Sequence, residues 1–317
     1  MGRFGWDGIS MLLPEGWQPN YIEYQPKLVM MRFEDERNAE RLQLKVQQIK
    51  GRFSVERNMA TIEKGIRKAR SKSKDLVFST GVTIPMVKKT FRGRPFATFG
   101  WKEQGLVAWG LLIFCEKCQQ ASILQVVSGK DEDDPAAAGK MLSSFTDHTE
   151  GDTTSWCAYG VEFEAPRSFK HADYGYDPRG LFRVTLKHGR ESLSVLRWNL
   201  ANLMLKKTDL EGFARASFVK DFRRYNLVAT STDFVGHPAI TLAYDTSRLL
   251  ARIKVGVRRW IRALKPAFMS GILWHCTKSN RLFSVHLLSD ALDQTERIKA
   301  FAKTVRCCSA ATQPPVG

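Results

Sequence analysis

The strongest constraint on what this chain can fold into is that it is written twice. Gly8-Ile9-Ser10-Met11-Leu12-Leu13-Pro14-Glu15-Gly16-Trp17 stands against Gly160-Val161-Glu162-Phe163-Glu164-Ala165-Pro166-Arg167-Ser168-Phe169. Each segment reads as an alternating strand, a proline stop and an aromatic. At the same spacing Tyr24-Gln25-Pro26-Lys27 matches Tyr176-Asp177-Pro178-Arg179, and strand 42–46 matches 193–196. Farther on, Phe91-Arg92-Gly93-Arg94-Pro95 matches Phe234-Val235-Gly236-His237-Pro238. Gly110-Leu111-Leu112-Ile113-Phe114-Cys115 matches Gly271-Ile272-Leu273-Trp274-His275-Cys276, and each runs on into another apolar strand ending at Ser128 or Ser289. Matches that recur in one order point to a tandem duplication.

Each copy has the same order of parts. A strand opens it, a second and a third follow, and then comes a helix. In the first copy the helix is expected over 55–72, with Met59, Ile62, Ile66 and Ala69 at spacings of three and four. In the second it is expected over 209–225, with Asp209 placed to cap it. Strands in hairpin order follow, with the Gly-x-Pro element as a tight turn, and a short helix closes each copy at 135–145 or 291–305. Consecutive hairpins predict an antiparallel sheet, and helices at both ends of the strand run are expected to cover one face. The fold class is therefore α+β: two tandem copies of an antiparallel sheet flanked by helices, a pseudo-twofold internal repeat. The domains are expected at 1–147 and 156–308, joined by a polar stretch near 147–155 and followed by a flexible tail at 309–317.

Three segments carry a family resemblance: Leu13-Pro14-Glu15-Gly16-Trp17 at the opening, Gly236-His237-Pro238-Ala239-Ile240-Thr241-Leu242-Ala243-Tyr244 in the centre, and Lys140-Met141-Leu142-Ser143-Ser144-Phe145 at the close. With them each half resembles the PsbP/DcrB/Mog-like superfamily of small α+β domains. The resemblance implies binding, chaperone-like or assembly roles and no catalytic residues. Known members are often single and some are exported, so a tandem, strongly basic chain departs from that pattern.

The copies differ most in one place. Gly93 to Gly110 is 17 positions, whereas Gly236 to Gly271 is 35. The surplus, an insertion at 247–266, holds Leu249, Leu250, Ile253, Val257, Trp260, Ile261 and Leu264 on one helical face. Arg248, Arg252, Lys254, Arg258, Arg259, Arg262 and Lys265 populate the rest, with no acid among them. Ser247 is placed to start this helix and Pro266 to end it. An apolar stripe with a wholly basic remainder is the pattern of an interfacial or target-peptide helix. The candidate partner-binding residues are Arg248, Arg252, Arg258, Arg259, Trp260, Ile261, Arg262, Leu264 and Lys265. The plainest alternative is a surface helix packing its stripe on its own sheet. An acidic protein groove, an anionic membrane surface and, below these, nucleic acid are the intermolecular readings. A second basic stretch, Lys64, Arg67, Lys68, Arg70, Lys72 and Lys74, reads first as a solvated helix face.

Composition narrows the class. Hydrophobic residues at 43% and charged residues at 26% describe a globular chain and exclude disordered and collagen-like classes. The 49 basic and 32 acidic residues leave a net charge of +17, which favours anionic partners. The longest apolar runs, such as 111–114, fall far short of the ~20 residues of a membrane span. The N-terminus lacks the apolar core of a secretory signal, and Trp6 occupies the place where a myristoylation motif needs Ser or Thr. A cytoplasmic protein with reduced thiols is expected.

Catalytic signatures are sparse. The chain has no phosphate-binding Gly-x-x-x-x-Gly-Lys-Ser/Thr, no Gly-x-Gly-x-x-Gly, no Gly-x-Ser-x-Gly and no His-Glu-x-x-His. Cys115-Glu116-Lys117-Cys118 has zinc-knuckle or redox spacing, and Cys157, Cys276, Cys307, Cys308, His275 and His286 are the further ligand candidates. However, Cys115 aligns with Cys276 while Cys118 aligns with Ser279, which favours small buried residues over ligands. His237, after the turn glycine, reads as structural. The run Asp131-Glu132-Asp133-Asp134 reads as a turn that charges a helix N-terminus, not as a calcium loop. No metal, cofactor or catalytic residue is assigned, and a non-enzymatic protein is expected.

Overall fold

The computed structural model describes residues 1–25, 27–177, 180–245 and 268–308. They form two units, divided between Glu150 and Gly151. Unit 1 opens with the hairpin β1 (Gly2–Trp6) and β2 (Ile9–Leu13). Its main sheet holds β3 (Gln18–Gln25), β4 (Leu28–Glu34), β5 (Glu40–Gln48), β6 (Val77–Thr80), β7 (Phe96–Glu103), β8 (Leu106–Cys115) and β9 (Gln120–Gly129) in the order β3-β4-β5-β9-β8-β7-β6. All neighbours are antiparallel. Helix α1 (Val55–Ala69) follows β5, the short α2 (Val87–Thr90) lies between β6 and β7, and α3 (Pro135–Ser143) closes the unit.

Unit 2 repeats this strand order. The hairpin β10 (Thr153–Ala158) and β11 (Val161–Pro166) precedes β12 (Lys170–Asp177), β13 (Leu181–His188), β14 (Glu191–Asn199), β15 (Leu227–Phe234), β16 (His237–Tyr244), β17 (Phe268–Cys276) and β18 (Arg281–Ser289). The sheet runs β12-β13-β14-β18-β17-β16-β15. Its helices are α4 (Ala201–Met204), α5 (Leu210–Ser217), α6 (Val219–Tyr225) and α7 (Thr295–Ala302).

The helices of unit 2 cover both faces of its sheet, not one. Along β18, Leu287 and Leu288 point to opposite sides, as alternation requires. Leu288 joins Trp198, Leu242 and Leu273 under α5 and α6, which bring Ala214, Phe218 and Tyr225. Leu287 lies with Leu193 beside Ile298 and Phe301 of α7. In unit 1, α1 lays Val55, Met59, Ile62 and Ile66 over Phe99, Leu112 and Ile123. Two-sided burial explains why β8 and β17 read as nearly continuous apolar runs without alternation.

Four sequence expectations need adjustment. The opening strand of each copy is the second arm of a hairpin, closed by Asp7-Gly8 (φ 47° and 91°) or Tyr159-Gly160 (φ 51° and 68°). Both central residues of each turn have positive φ, as a type I′ turn needs. Helix α1 ends at Ala69, and Arg70 turns inward, its guanidinium 3.7 Å from the Trp101 ring and paired with Glu103. The expected helix 209–225 is two helices. At Phe218 the backbone leaves helical geometry while that ring packs on Trp198 and His286. Asp209 does cap the first of them, accepting from Gly212 N. The stretch expected to link the domains is ordered at both ends: Asp147 is buried, and β10 starts at Thr153. Among the described residues no helix is long and apolar enough to cross a membrane.

Candidate metal centres at the hairpin turns

The hairpin β8–β9 ends on the pair Cys115↔Gln120, and β17–β18 on Cys276↔Arg281. Each closes through four residues, the last of them, Gln119 or Asn280, left-handed at φ 54° or 50°. Beside each turn runs the chain that leaves the closing helix. In unit 1, Thr146 bonds back to Ser10 through N–H to O of 2.8 Å and O to H–N of 2.9 Å. In unit 2, Arg306 N donates to Glu162 O at 2.9 Å. Ser10 and Glu162 are equivalent in the repeat, so Thr146 and Arg306 are equivalent too. The next two residues, Asp147 and His148 in one unit and Cys307 and Cys308 in the other, are thereby delivered to the hairpin turn.

Two donor clusters result. In unit 2, His237, Cys276, Cys307 and Cys308 present donor atoms all within 4.8 Å of one another. His237 Nε2 lies 3.2 Å from Cys308 Sγ and 3.4 Å from Cys307 Sγ. The Cys307 and Cys308 sulfurs are 3.5 Å apart, and those of Cys276 and Cys308 are 3.6 Å apart. In unit 1, Cys115, Cys118, Asp147 and His148 meet the same limit. There Cys115 Sγ lies 3.5 Å from His148 Nδ1, which is 2.8 Å from Asp147 Oδ1, and Arg94 pairs with Asp147 Oδ2. All six cysteines are free thiols.

Electrostatics set the two apart from ordinary buried cysteines. Burial, then the neighbouring thiols, push Cys307 up to about 12. Burial, then the Cys115 thiol and the Asp147 charge, push Cys118 up to about 12. Cys276 moves the other way: burial raises it, but hydrogen bonds with Ser279, Cys308 and Cys307 hold it below its ordinary value, and a divalent cation among the sulfurs would favour the thiolate at each.

Cys115 and Cys276 are buried at the ends of apolar strands, as expected of small residues, and each also belongs to a four-donor cluster; His237, expected to be structural, faces two sulfurs. Of the sequence candidates, Cys115, Cys118, Cys276, Cys307 and Cys308 are brought together, while Cys157, His275 and His286 lie outside both clusters. Motif spacing does not single out Asp147 and His148. Extending the repeat from Ser144-Phe145-Thr146-Asp147-His148 to Thr304-Val305-Arg306-Cys307-Cys308 does expose them.

The other expected sites divide cleanly. Arg248, Arg252, Arg258, Arg259, Trp260, Ile261, Arg262, Leu264 and Lys265 lie outside the described residues. Their segment connects Tyr244 to Phe268, the ends of the hairpin partners β16 and β17. The equivalent strands β7 and β8 are joined by the two residues Gln104-Gly105. Of the second basic stretch, Lys64, Lys68, Lys72 and Lys74 are exposed, Arg67 pairs with Glu63, and Arg70 is turned inward. Asp134 caps α3 by accepting from Ala136 N and Ala137 N, as the acidic turn suggested.

Equivalent grooves lie beside the closing helices. In unit 1 the groove, about 390 Å³, is lined by Trp17, Val126 and Met141 and by a network of Arg37, Arg41, Asp35 and Glu132. Those charges satisfy one another: Arg41 bonds Asp35 at 2.7 Å and Glu132 at 2.8 Å. In unit 2 the groove, about 270 Å³, is lined mainly by Phe169, Leu193, Leu287, Ile298 and Phe301.

No family model and no curated relative matches the chain. Among solved structures, the apo immunity protein TplEi of T6SS from Pseudomonas aeruginosa aligns over 96% of this chain and 97% of that one, at 9% identity and a TM-score of 0.35. A likeness at that level carries no argument about this protein.

Proposed function

We propose that this chain is a non-catalytic binding protein, a chaperone-like or assembly subunit that docks an acidic protein partner in the cytoplasm. In this reading its two units are PsbP/DcrB/Mog-like modules descended from one duplicated ancestor, and the repeated strand order supports that descent. The observation that carries the function is the placement of charge. A +17 chain carries seven cations and no acid in 248–266, interleaved with Leu249, Ile253, Trp260, Ile261 and Leu264. That segment departs from and returns to one hairpin of a packed sheet, where it replaces a two-residue turn of the sister unit. Arginines and lysines there would steer an acidic surface into register, and Trp260, Ile261 and Leu264 would supply the apolar anchors.

The test is affinity purification of the full chain from its native cell, beside the double variant Arg258→Glu/Arg259→Glu. The variant is expected to keep its circular dichroism and melting temperature and to lose the acidic partner by tenfold or more. Equal recovery of the partner by both chains rejects the site. The tryptophan within a basic amphipathic segment also suits a peripheral membrane contact. Flotation with anionic vesicles but not with neutral phosphatidylcholine vesicles would favour that second reading.

A further inference from the structure

The two donor clusters occupy the same place in the repeat but do not use the same residues. Five equivalent positions surround each turn. They are Cys115 and Cys276 at the strand end, Cys118 and Ser279 in the loop, Asp147 and Cys307, then His148 and Cys308 after the closing helix, and Arg94 just before β7 and His237 at the start of β16. Unit 2 lacks the loop cysteine but has His237, whereas unit 1 has the loop cysteine and carries Arg94 instead of a ligand. Each unit therefore keeps four donors by a different choice among five positions. Packing alone gives no reason for such compensation, because Cys118→Ser and Arg→His changes at separate positions would not need to offset one another. A shared cation does.

We propose that each hairpin turn binds a structural Zn²⁺: His237, Cys276, Cys307 and Cys308 hold one ion in unit 2, and Cys115, Cys118, Asp147 and His148 hold a weaker one in unit 1. The distances fit the metal. Tetrahedral zinc with Zn–S of ~2.3 Å and Zn–N of ~2.0 Å has donor–donor edges of about 3.5–3.8 Å. Four of the six donor–donor edges of unit 2 run from 3.2 to 3.6 Å, and all six lie within 4.8 Å, so small movements of the donors admit the ion. A three-thiolate, one-imidazole set is a closed structural zinc site, and thiolate ligands disfavour magnesium, calcium and manganese. On binding, each ligating thiol gives its proton to solvent and neutral histidine gives a lone pair. Three anions and one Zn²⁺ leave a charge of minus one in either unit. Arg94 on Asp147 offsets it in unit 1, and Arg281, opposite Cys276 in the strand register, offsets it in unit 2. Arg94 also holds the outer oxygen of Asp147, while Oδ1 meets His148 Nδ1 at 2.8 Å, a contact the ion would replace by binding both atoms. The carboxylate and the neighbouring guanidinium make unit 1 the weaker site.

These sites are independent of the docking function and are tested on the full chain. Protein purified under reducing conditions, stripped with chelator and titrated with zinc is expected to retain two equivalents after gel filtration. Cys276→Ser and Cys115→Ser are each expected to halve that content, and the double variant to abolish it. Cobalt in place of zinc is expected to give thiolate charge-transfer absorption, which falls more in Cys276→Ser than in Cys115→Ser because unit 2 supplies more sulfurs. Should a variant misfold, the wild-type chain still decides. With zinc, alkylation of Cys276, Cys307 and Cys308 is expected to slow at least tenfold, and chelator is expected to restore it. A stripped wild-type chain that takes up no zinc, or that yields Cys307 and Cys308 joined as a disulfide with no metal protection, overturns the proposal. A single equivalent lost only in Cys276→Ser overturns the unit 1 site and leaves that of unit 2.

Discussion

His286 shows how burial fixes the state of one side chain. Its ring meets Phe218 edge-on at 4.4 Å and lies 2.7 Å from Ser284 Oγ. Ser284 spends its single proton on Ile272 O at 2.9 Å, so the His286 Nε2–H must be the donor between them. Enclosure without a counter-charge lowers its pKa from 6.5 to about 3. Such a serine–histidine pair resembles a nucleophile and base only in composition, for both residues are sealed beneath α5 and α6. In the unfolded chain the histidine protonates below pH 6.5, whereas in the folded chain it stays neutral to about pH 3. Its contribution to stability is therefore complete above 6.5 and lost as the pH falls through that window. Between about pH 7 and about pH 5.5 this one group should remove about 1 kcal/mol from the unfolding free energy. Urea titrations at both values should show His286→Gln losing less than the wild type. Equal losses would place the pH dependence elsewhere.

At the scale of the element, the same substitution should have opposite effects on two helices. Gly65 lies in α1 with nothing within 4 Å of the point where a methyl would stand, while at Gly139 in α3 that methyl would fall on the Pro85 carbonyl oxygen. Helix propensity favours Ala over Gly by up to about 1 kcal/mol where space is free. Gly65→Ala should stabilise the chain by up to that amount, and Gly139→Ala should destabilise it by about 1–3 kcal/mol through overpacking. Thermal melts of the two single variants test the pair, and a stabilised Gly139→Ala would mean that the α3 approach to the Pro85 loop is loose. Propensity is readable from sequence at both sites. The backbone at Pro85 that forbids a methyl at Gly139 is not.

For the whole molecule the governing quantity is the excess of cations. The proposed capture of an acidic partner by basic side chains should weaken as salt shortens the Debye length from ~10 Å at 0.1 M to ~3 Å at 1 M. Partner recovery at low and high salt measures this, and recovery that ignores salt would leave the apolar stripe as the sole anchor. Zinc retention should be nearly indifferent to the same change, because coordination bonds do not depend on screening. The two behaviours separate surface charge from the clustered sulfurs beside the turns.

Much of the architecture followed from local chemistry. Proline stops, alternating and apolar runs and turn glycines marked most strands, and Asp209 and Asp134 announced helix starts that the backbone then adopted. The Asp7-Gly8 turn is equally legible, but β1 before it is not, because Gly2 and Gly5 interrupt the alternation that would announce a strand. What local pattern could not supply was company. Whether Cys276 is a small core residue or a ligand depends on which side chains stand near it. Here those are His237, 39 positions upstream, and Cys307 and Cys308, some 30 downstream. By itself the sequence determined the like order of strands in the two units and the charge, because these depend on neighbours along the chain. Only the tertiary structure decided the two-sided sheets and the four-donor clusters, because both arise where strand pairing and the return of the closing segment bring distant residues within a bond length or two of a common point.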